Sequence, residues 1–308
     1  MKRFLLAAIT VLMLGVGATR AAPFDDARAA LLRGDRAGAL RILLPIAQSR
    51  NAQAQENVGE MFWFGLGTMQ DRAEAVKWLR LSAAQGKAQS QTLLGDAYAS
   101  GQGIQRDYSE AVSRYRQAAE QGAAIGQFRL GAMYADGRGV AQDDAEALKW
   151  YRLAAQGGDA VSAMAQFRVG AMYAAGRGVP RDYAQALTWF RLAAEKGNTQ
   201  ALERVGSIHA NGHGVPQDHA EALKWYRLAA ERGYTQAQIN VGVAYFSGEG
   251  VRPDHVRGYM WVDLAAAAGD ARAERIKERI VKLLTPAQLA EAKNLARQCQ
   301  ERKFKGCD

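Results

Sequence analysis

The chain has 308 residues, 40 Lys and Arg against 31 Asp and Glu, a formal net charge of +9 and two cysteines. That mild excess forms no block of five or more like charges, which excludes a basic nucleic-acid tail, and two cysteines cannot build a disulfide-dense mini-scaffold. Only four histidines occur, and no serine stands in G-x-S-x-G, so little is available for metal or nucleophilic catalysis.

In chain order, residues 1–21 carry Lys2 and Arg3, an apolar run from Phe4 to Ala18, and small residues ending at Ala21. This is the pattern of a secretory signal cut after Ala21. The run falls short of the roughly 20 apolar residues that span a bilayer. The expectation is a periplasmic or secreted protein with no membrane attachment after cleavage, an uncleaved anchor being the alternative. Loss of Lys2, Arg3 and Arg20 would lower the formal charge to +6. Residues 22–51 place Leu40, Leu43 and Ala47 at helical spacing without a G-x-G or a tryptophan, and read as a degenerate, capping helix pair.

Residues 52–270 form a ladder. Gly59, Gly95, Gly131, Gly170, Gly206 and Gly242 recur every 36 residues with one step of 39. Paired glycines (Gly65/Gly67 to Gly248/Gly250), aspartates (Asp71, Asp107, Asp143, Asp182, Asp218, Asp254) and Trp78, Trp150, Trp189, Trp225 and Trp261 keep the same register, with Arg114 in the second copy. Such a period means stacked structural units. In the third copy, Leu130, Gly131, Met133 and Tyr134 share adjacent faces of a first helix; Gly137-Arg-Gly139 turns the chain; Asp143 with Glu146 announces a reciprocally capped second helix. A mid-helix glycine costs roughly 1 kcal/mol against alanine, so its recurrence calls for close helix packing. The extra three residues near Ala160 to Ala165 imply a longer loop or one more helical turn.

This succession of Leu-Gly or Val-Gly, an aromatic three residues on, G-x-G, Asp, Ala, Trp with Tyr or Phe, Ala-Ala and a closing Gly resembles the Sel-one-like repeat, a relative of the tetratricopeptide repeat, in six copies from Ala52 to Gly269. The resemblance implies an all-α, right-handed superhelical solenoid whose first helices line the concave side, and a binding rather than a catalytic role. Some cysteine-rich relatives are linked to penicillin-like ligands; this chain lacks a disulfide in each repeat.

Residues 271–308 read as two charged capping helices, Ala271 to Leu284 and Pro286 to Gln300, with Thr285 as N-cap and Pro286 at the first helical position. Cys299 and Cys307 would lie about 12 Å apart on one helix, so a bridge between them requires the helix to end first, which the Gly306 turn permits.

Other chemistry gives way to structure. His209 and His213, at metal-binding spacing, occupy an aromatic packing position and a turn; the paired glycines lack a preceding strand and the longer spacing of a phosphate fingerprint. No metal, cofactor or catalytic group is expected. The remaining candidate is a surface on the first helices: Asn57, Glu60 and Trp63 in the first copy, then Phe128, Arg129, Phe167, Arg168, Glu203, Arg204 and Asn240. Arg129, Arg168 and Arg204 share one register position, and with Phe128 and Phe167 would form a basic, aromatic stripe for an acidic, partly apolar peptide. The competing reading is a solvated face with the phenylalanines packed between copies. The function expected is a monomeric, exported, non-catalytic protein-binding scaffold; the alternatives are a cell-wall-fragment or small-ligand binder, a periplasmic hydrolase, or a modulator of a secreted enzyme.

Overall fold

The computed structural model describes residues 22–307. The expected signal segment, residues 1–21, lies outside the described residues. Among those described are sixteen α-helices, one short 3-10 turn and no strand. The chain divides between Ala154 and Ala155 into two compact units.

The first unit contains α1 (Ala22–Leu32), α2 (Arg36–Gln48), α3 (Ala52–Phe64), α4 (Arg72–Ala84), α5 (Ala88–Ser100), α6 (Tyr108–Glu120), α7 (Ala124–Asp136) and α8 (Asp144–Ala154). Each packs on the next, so the degenerate opening pair α1/α2 stacks directly against the first full copy. The second contains α9 (Ala160–Ala175), α10 (Tyr183–Glu195), α11 (Thr199–Asn211), α12 (His219–Ala230), α13 (Thr235–Ser247), α14 (His255–Ala267), α15 (Ala271–Ile280) and α16 (Pro286–Glu301). Here too neighbours pack in sequence, but α16 folds back onto α14 beside α15. The architecture is all-α and built of consecutive helix hairpins, the solenoid class. The three extra residues lengthen α9 to 16 residues where the other first helices have 13, one additional turn at its start, capped by Asp159.

Why the ladder glycines recur is visible in the hairpins. A Cβ added at Gly59, Gly95, Gly131, Gly170, Gly206 or Gly242 would stand 2.5 to 3.0 Å from Leu79, Tyr115, Tyr151, Phe190, Tyr226 or Val262 of the paired second helix. Contacts that short are repulsive, so close packing outweighs the propensity lost. Of the turn glycines, Gly137 takes φ 65° to end α7. Gly139, with φ 69°, brings its α-carbon against the Tyr108 and Ser109 backbone that opens the second helix of the previous copy. The first glycine thus turns the chain and the second seats one copy on another.

Two sequence expectations need correction. The second-helix caps are half-boxes: Asp143 accepts from the Glu146 N–H at 3.0 Å, but the Asp143 N–H donates to the Tyr134 carbonyl at 3.0 Å. With that donor taken, the Glu146 carboxylate turns to Lys149, 3.0 Å away. The reciprocal box forms at Thr285 and Gln288. The recurrent tryptophans, large aromatics in register that read as core from the sequence, also differ. Trp78, Trp150, Trp189 and Trp225 are half-buried and only Trp261 is fully buried. The residue that packs under the ladder glycine is the one after the tryptophan.

Successive copies are further tied by an arginine on the second helix that donates to the aromatic position of the next first helix. Arg80 reaches the Tyr98 hydroxyl at 3.4 Å and Arg116 that of Tyr134 at 2.7 Å. In the second unit Arg191 faces the His209 Nε2 at 3.2 Å, so His209 replaces tyrosine in a packing link. His213 stacks on Tyr183, ring centres 4.5 Å apart.

At the C-terminus Cys299 and Cys307 are bridged, their α-carbons 5.2 Å apart. The helix ends at Glu301, and the chain turns through left-handed Lys303 and Phe304 as well as Gly306. The tail is not a loose appendage: Cys299 is 2 % exposed and belongs, with Ala296, to the main apolar cluster of the second unit, against which Phe304 and Cys307 also pack.

Candidate partner-binding faces

In the first unit the candidate face begins on α3. Glu56 and Glu60 lie one turn apart, 2 % and 6 % exposed. Gln53 donates to the Glu56 carboxylate at 2.9 Å and to the Asn57 carbonyl oxygen at 3.1 Å, and Ser90 donates to Glu56 at 3.2 Å. Lys87 does not pair with either glutamate; its ammonium sits 2.7 Å from the Gln53 oxygen. Burial first, and then the neighbouring Glu56 carboxylate, push Glu60 up to about 7, against a hydrogen bond from Gln89 that lowers it. The Asn57 amide nitrogen is buried with no partner. Trp63, 5 % exposed, carries the Arg72 guanidinium 3.8 Å over its ring.

Two copies on, Phe128 is buried, its ring 5.4 Å from that of Tyr151. Arg129 is exposed and bound to Asp96, Nε to carboxylate 3.0 Å. Asp96 also accepts from the Tyr115 hydroxyl at 2.7 Å. Burial and that carboxylate push the Tyr115 phenol up.

In the second unit Phe167 is half-buried against Phe190, centroids 5.5 Å apart. Arg168 is exposed and makes no ion pair among the described residues. Arg204 lies 3.7 Å from the buried Glu203 carboxylate. Burial raises Glu203, while Arg204, Asn240 and Arg272 lower it. Asn240 donates to Glu203 at 3.3 Å and accepts from Gln236 at 2.9 Å; Arg272 in turn donates to Gln236. Beside this network runs a groove of about 270 Å³ lined by α11, α12, α13 and α15, with Leu223, Tyr226, Ile239, Asn240, Val243 and Arg272 among its residues. Burial pushes the Tyr226 phenol up to about 12, and the Glu203 carboxylate adds to the rise.

The structure therefore sorts the predicted residues into two kinds. Arg129, Arg168 and Arg204 are exposed and Asn57 and Asn240 half-buried, whereas Glu60, Trp63 and Phe128 are buried and serve the packing. The aromatic footing expected from Phe128 and Phe167 is turned inward onto the second helices, because their register position, three residues before the ladder glycine, faces the hairpin interior. Arg129 falls in the first unit, Arg168 and Arg204 in the second. Sequence reasoning missed Glu56, Gln236 and Arg272. The register could have found Glu56, which occupies the same position as Glu203; Arg272 lies outside the ladder and gave no signal. Among the described residues no group of three or more His, Cys, Asp or Glu is placed to hold a metal ion. What the face offers is guanidinium charge, side-chain amides and a shallow apolar groove, the means of gripping an extended chain.

The Sel1 repeat matches residues 52–87, 88–122, 124–159, 163–198, 199–234 and 235–270. Among solved structures, a Sel1 repeat protein from Oxalobacter formigenes is similar at 30 % identity with TM-score 0.68, over 78 % of this chain and 94 % of that one. A second, c5321, is a protective antigen of uropathogenic Escherichia coli displaying an SLR fold. It shares 27 % identity over 94 % of this chain and 87 % of its own, with TM-score 0.48. No curated protein matches the sequence. Six consecutive matches and the Oxalobacter likeness place this chain in the Sel1 repeat family.

Proposed function

We propose that this protein is an exported, non-catalytic scaffold, monomeric on its own, that holds an acidic, extended segment of another protein against its first helices. The observation that carries the reading is the groove of the second unit. Apolar Leu223 and Ile239 line it together with the amide of Asn240 and the guanidinium of Arg272, and Arg168 and Arg204 are exposed on first helices of the same unit. An extended peptide needs apolar seats for alternate side chains and polar groups for its backbone, and exposed arginines favour carboxylates along it. Export is supported by the charged and apolar pattern of residues 1–21 and by the Cys299–Cys307 bridge, which an oxidising compartment sustains.

The test is partner recovery from the native envelope with the chain and with an Arg168→Glu/Arg204→Glu variant. Binding should fall at least tenfold in the variant, helical circular dichroism should be unchanged, and recovery by the parent chain should weaken as salt rises. Unchanged recovery by the folded variant would remove this face from consideration.

A further inference from the structure

The second helices carry an unabsorbed pattern. Leu81, Leu153, Leu192 and Leu228 stand three residues after Trp78, Trp150, Trp189 and Trp225, and all four leucines are exposed, from 37 % at Leu153 to 50 % at Leu81. Single exposed leucines are ordinary; the same exposed leucine beside a half-buried tryptophan in two successive copies of the second unit is a ridge, and the first unit repeats the pattern in its first and third copies. In the second copy the ridge is interrupted by Arg114 and Gln117.

The sixth copy shows what such a ridge accepts. There Trp261 is 0 % and Leu264 3 % exposed, in one cluster with Ala296 and Cys299 of α16. The buried residues of α16 are Ala292, Ala296 and Cys299, a row of small side chains that lets a helix axis come down close onto bulky ones. This cover continues toward the fifth copy: the Phe304 ring lies against Gly233, just beyond the end of α12. The open ridge of Trp189, Leu192, Trp225 and Leu228 thus lies in the same unit as a covered one of identical register, and at the edge of its cover.

We propose that the Trp/Leu ridge of α10 and α12 is a docking face for an amphipathic helix of another protein, one that presents a row of alanine-sized side chains as α16 does. It involves the second helices and stands apart from the first-helix reading.

The probe is a fluorescein-labelled peptide of Pro286–Glu301 carrying Cys299→Ala, titrated with the full chain by anisotropy. Saturable binding is expected, weakened at least tenfold in the Leu192→Glu/Leu228→Glu chain and in a peptide carrying Ala292→Lys and Ala296→Lys. Leu192→Gln/Leu228→Gln serves the same purpose should the glutamates disturb folding, which circular dichroism checks. The Arg168→Glu/Arg204→Glu chain should bind the peptide as the parent does, so failure of one reading is distinguishable from failure of the other. Absence of saturable binding, or binding indifferent to the leucine replacements or to the lysine-bearing peptide, overturns the proposal. So does a concentration-dependent dimer, seen by sedimentation velocity without peptide binding and abolished by the leucine replacements, since a second copy would then own the ridge.

Discussion

The first and fifth copies place a glutamate at the same register, three residues before the ladder glycine, and surround it differently. Glu56 is 2 % exposed with Glu60 one turn on and only neutral donors within reach. Glu203 is 6 % exposed, but Ser207 stands where Glu60 would be, and Arg204, Asn240 and Arg272 act on its carboxylate. The hairpin scaffold is the same in both; what differs is whether the neighbouring positions supply positive charge. One consequence is that the first copy carries a carboxyl titrating near neutrality and the fifth a face with usable charge. At this register the hairpin buries the glutamate in both copies, and the variable neighbours decide what that burial costs.

The largest expected effect comes from removing the charge of Glu60. Its folded carboxyl is raised from 4.5 to about 7, so between those values the folded chain holds a proton that the unfolded chain has lost. Stability therefore falls as pH rises through that window and stays reduced above it. Glu60→Gln should raise the urea-unfolding free energy at pH 8 by about 3 kcal/mol, the shift converted at 1.36 kcal/mol per unit. At pH 4 the variant and parent should coincide. Equal gains at both pH values would show that Glu60 acts through packing alone.

Transferring the pair to the fifth copy sharpens the contrast. Ser207→Glu sets a second carboxyl one turn after Glu203, and should cost about 1 kcal/mol at pH 8 and less at pH 5. Arg204 and Arg272 keep the cost below that of the first-copy pair. A cost independent of pH would mean that the arginines neutralise both carboxyls. Removing Glu203 itself is the smaller converse: burial raises its carboxyl and three neighbours lower it, so Glu203→Gln should stabilise at pH 8 by less than Glu60→Gln does. A larger gain would show that Arg204 and Arg272 do not reach it in solution.

Much of this was legible in the sequence, and the boundary has physical reasons. Gly59 and its counterparts announced close packing because a costly residue recurred where nothing local required it. The three-residue insertion resolved into a longer α9 because Asp159 caps it one turn earlier. Trp150 misled: a large aromatic in register reads as core, yet Tyr151 takes the place beneath Gly131, a choice between adjacent residues that only the packed hairpin decides. The reciprocal cap at Asp143 misled for a related reason, since the competing carbonyl of Tyr134 lies nine residues back across the turn. The buried glutamates and the groove were least legible, because Glu56, Ser90 and Asn240 come from different copies and Arg272 from the capping helix beyond them, and periodicity says nothing of which non-repeating side chains will meet.

The smallest expected effect concerns the link between copies, where the first and fifth also differ. In the first copy the aromatic position is Phe62 and Leu44 stands at the arginine register; both pack against one apolar cluster. In the fifth copy His209 receives Arg191 at 3.2 Å, the polar form of the same contact that Tyr98 and Tyr134 make with Arg80 and Arg116. Arg191 is exposed, so water can replace a lost acceptor and the net worth of the bond is that of an ordinary hydrogen bond, about 0.5 to 1 kcal/mol. His209→Phe should lower stability by that amount, and His209→Tyr should restore it by supplying the hydroxyl used elsewhere in the array. Thermal unfolding of the three chains at pH 8 provides the measurement. If phenylalanine were tolerated at no cost, ring packing rather than the arginine link would be what joins one copy to the next.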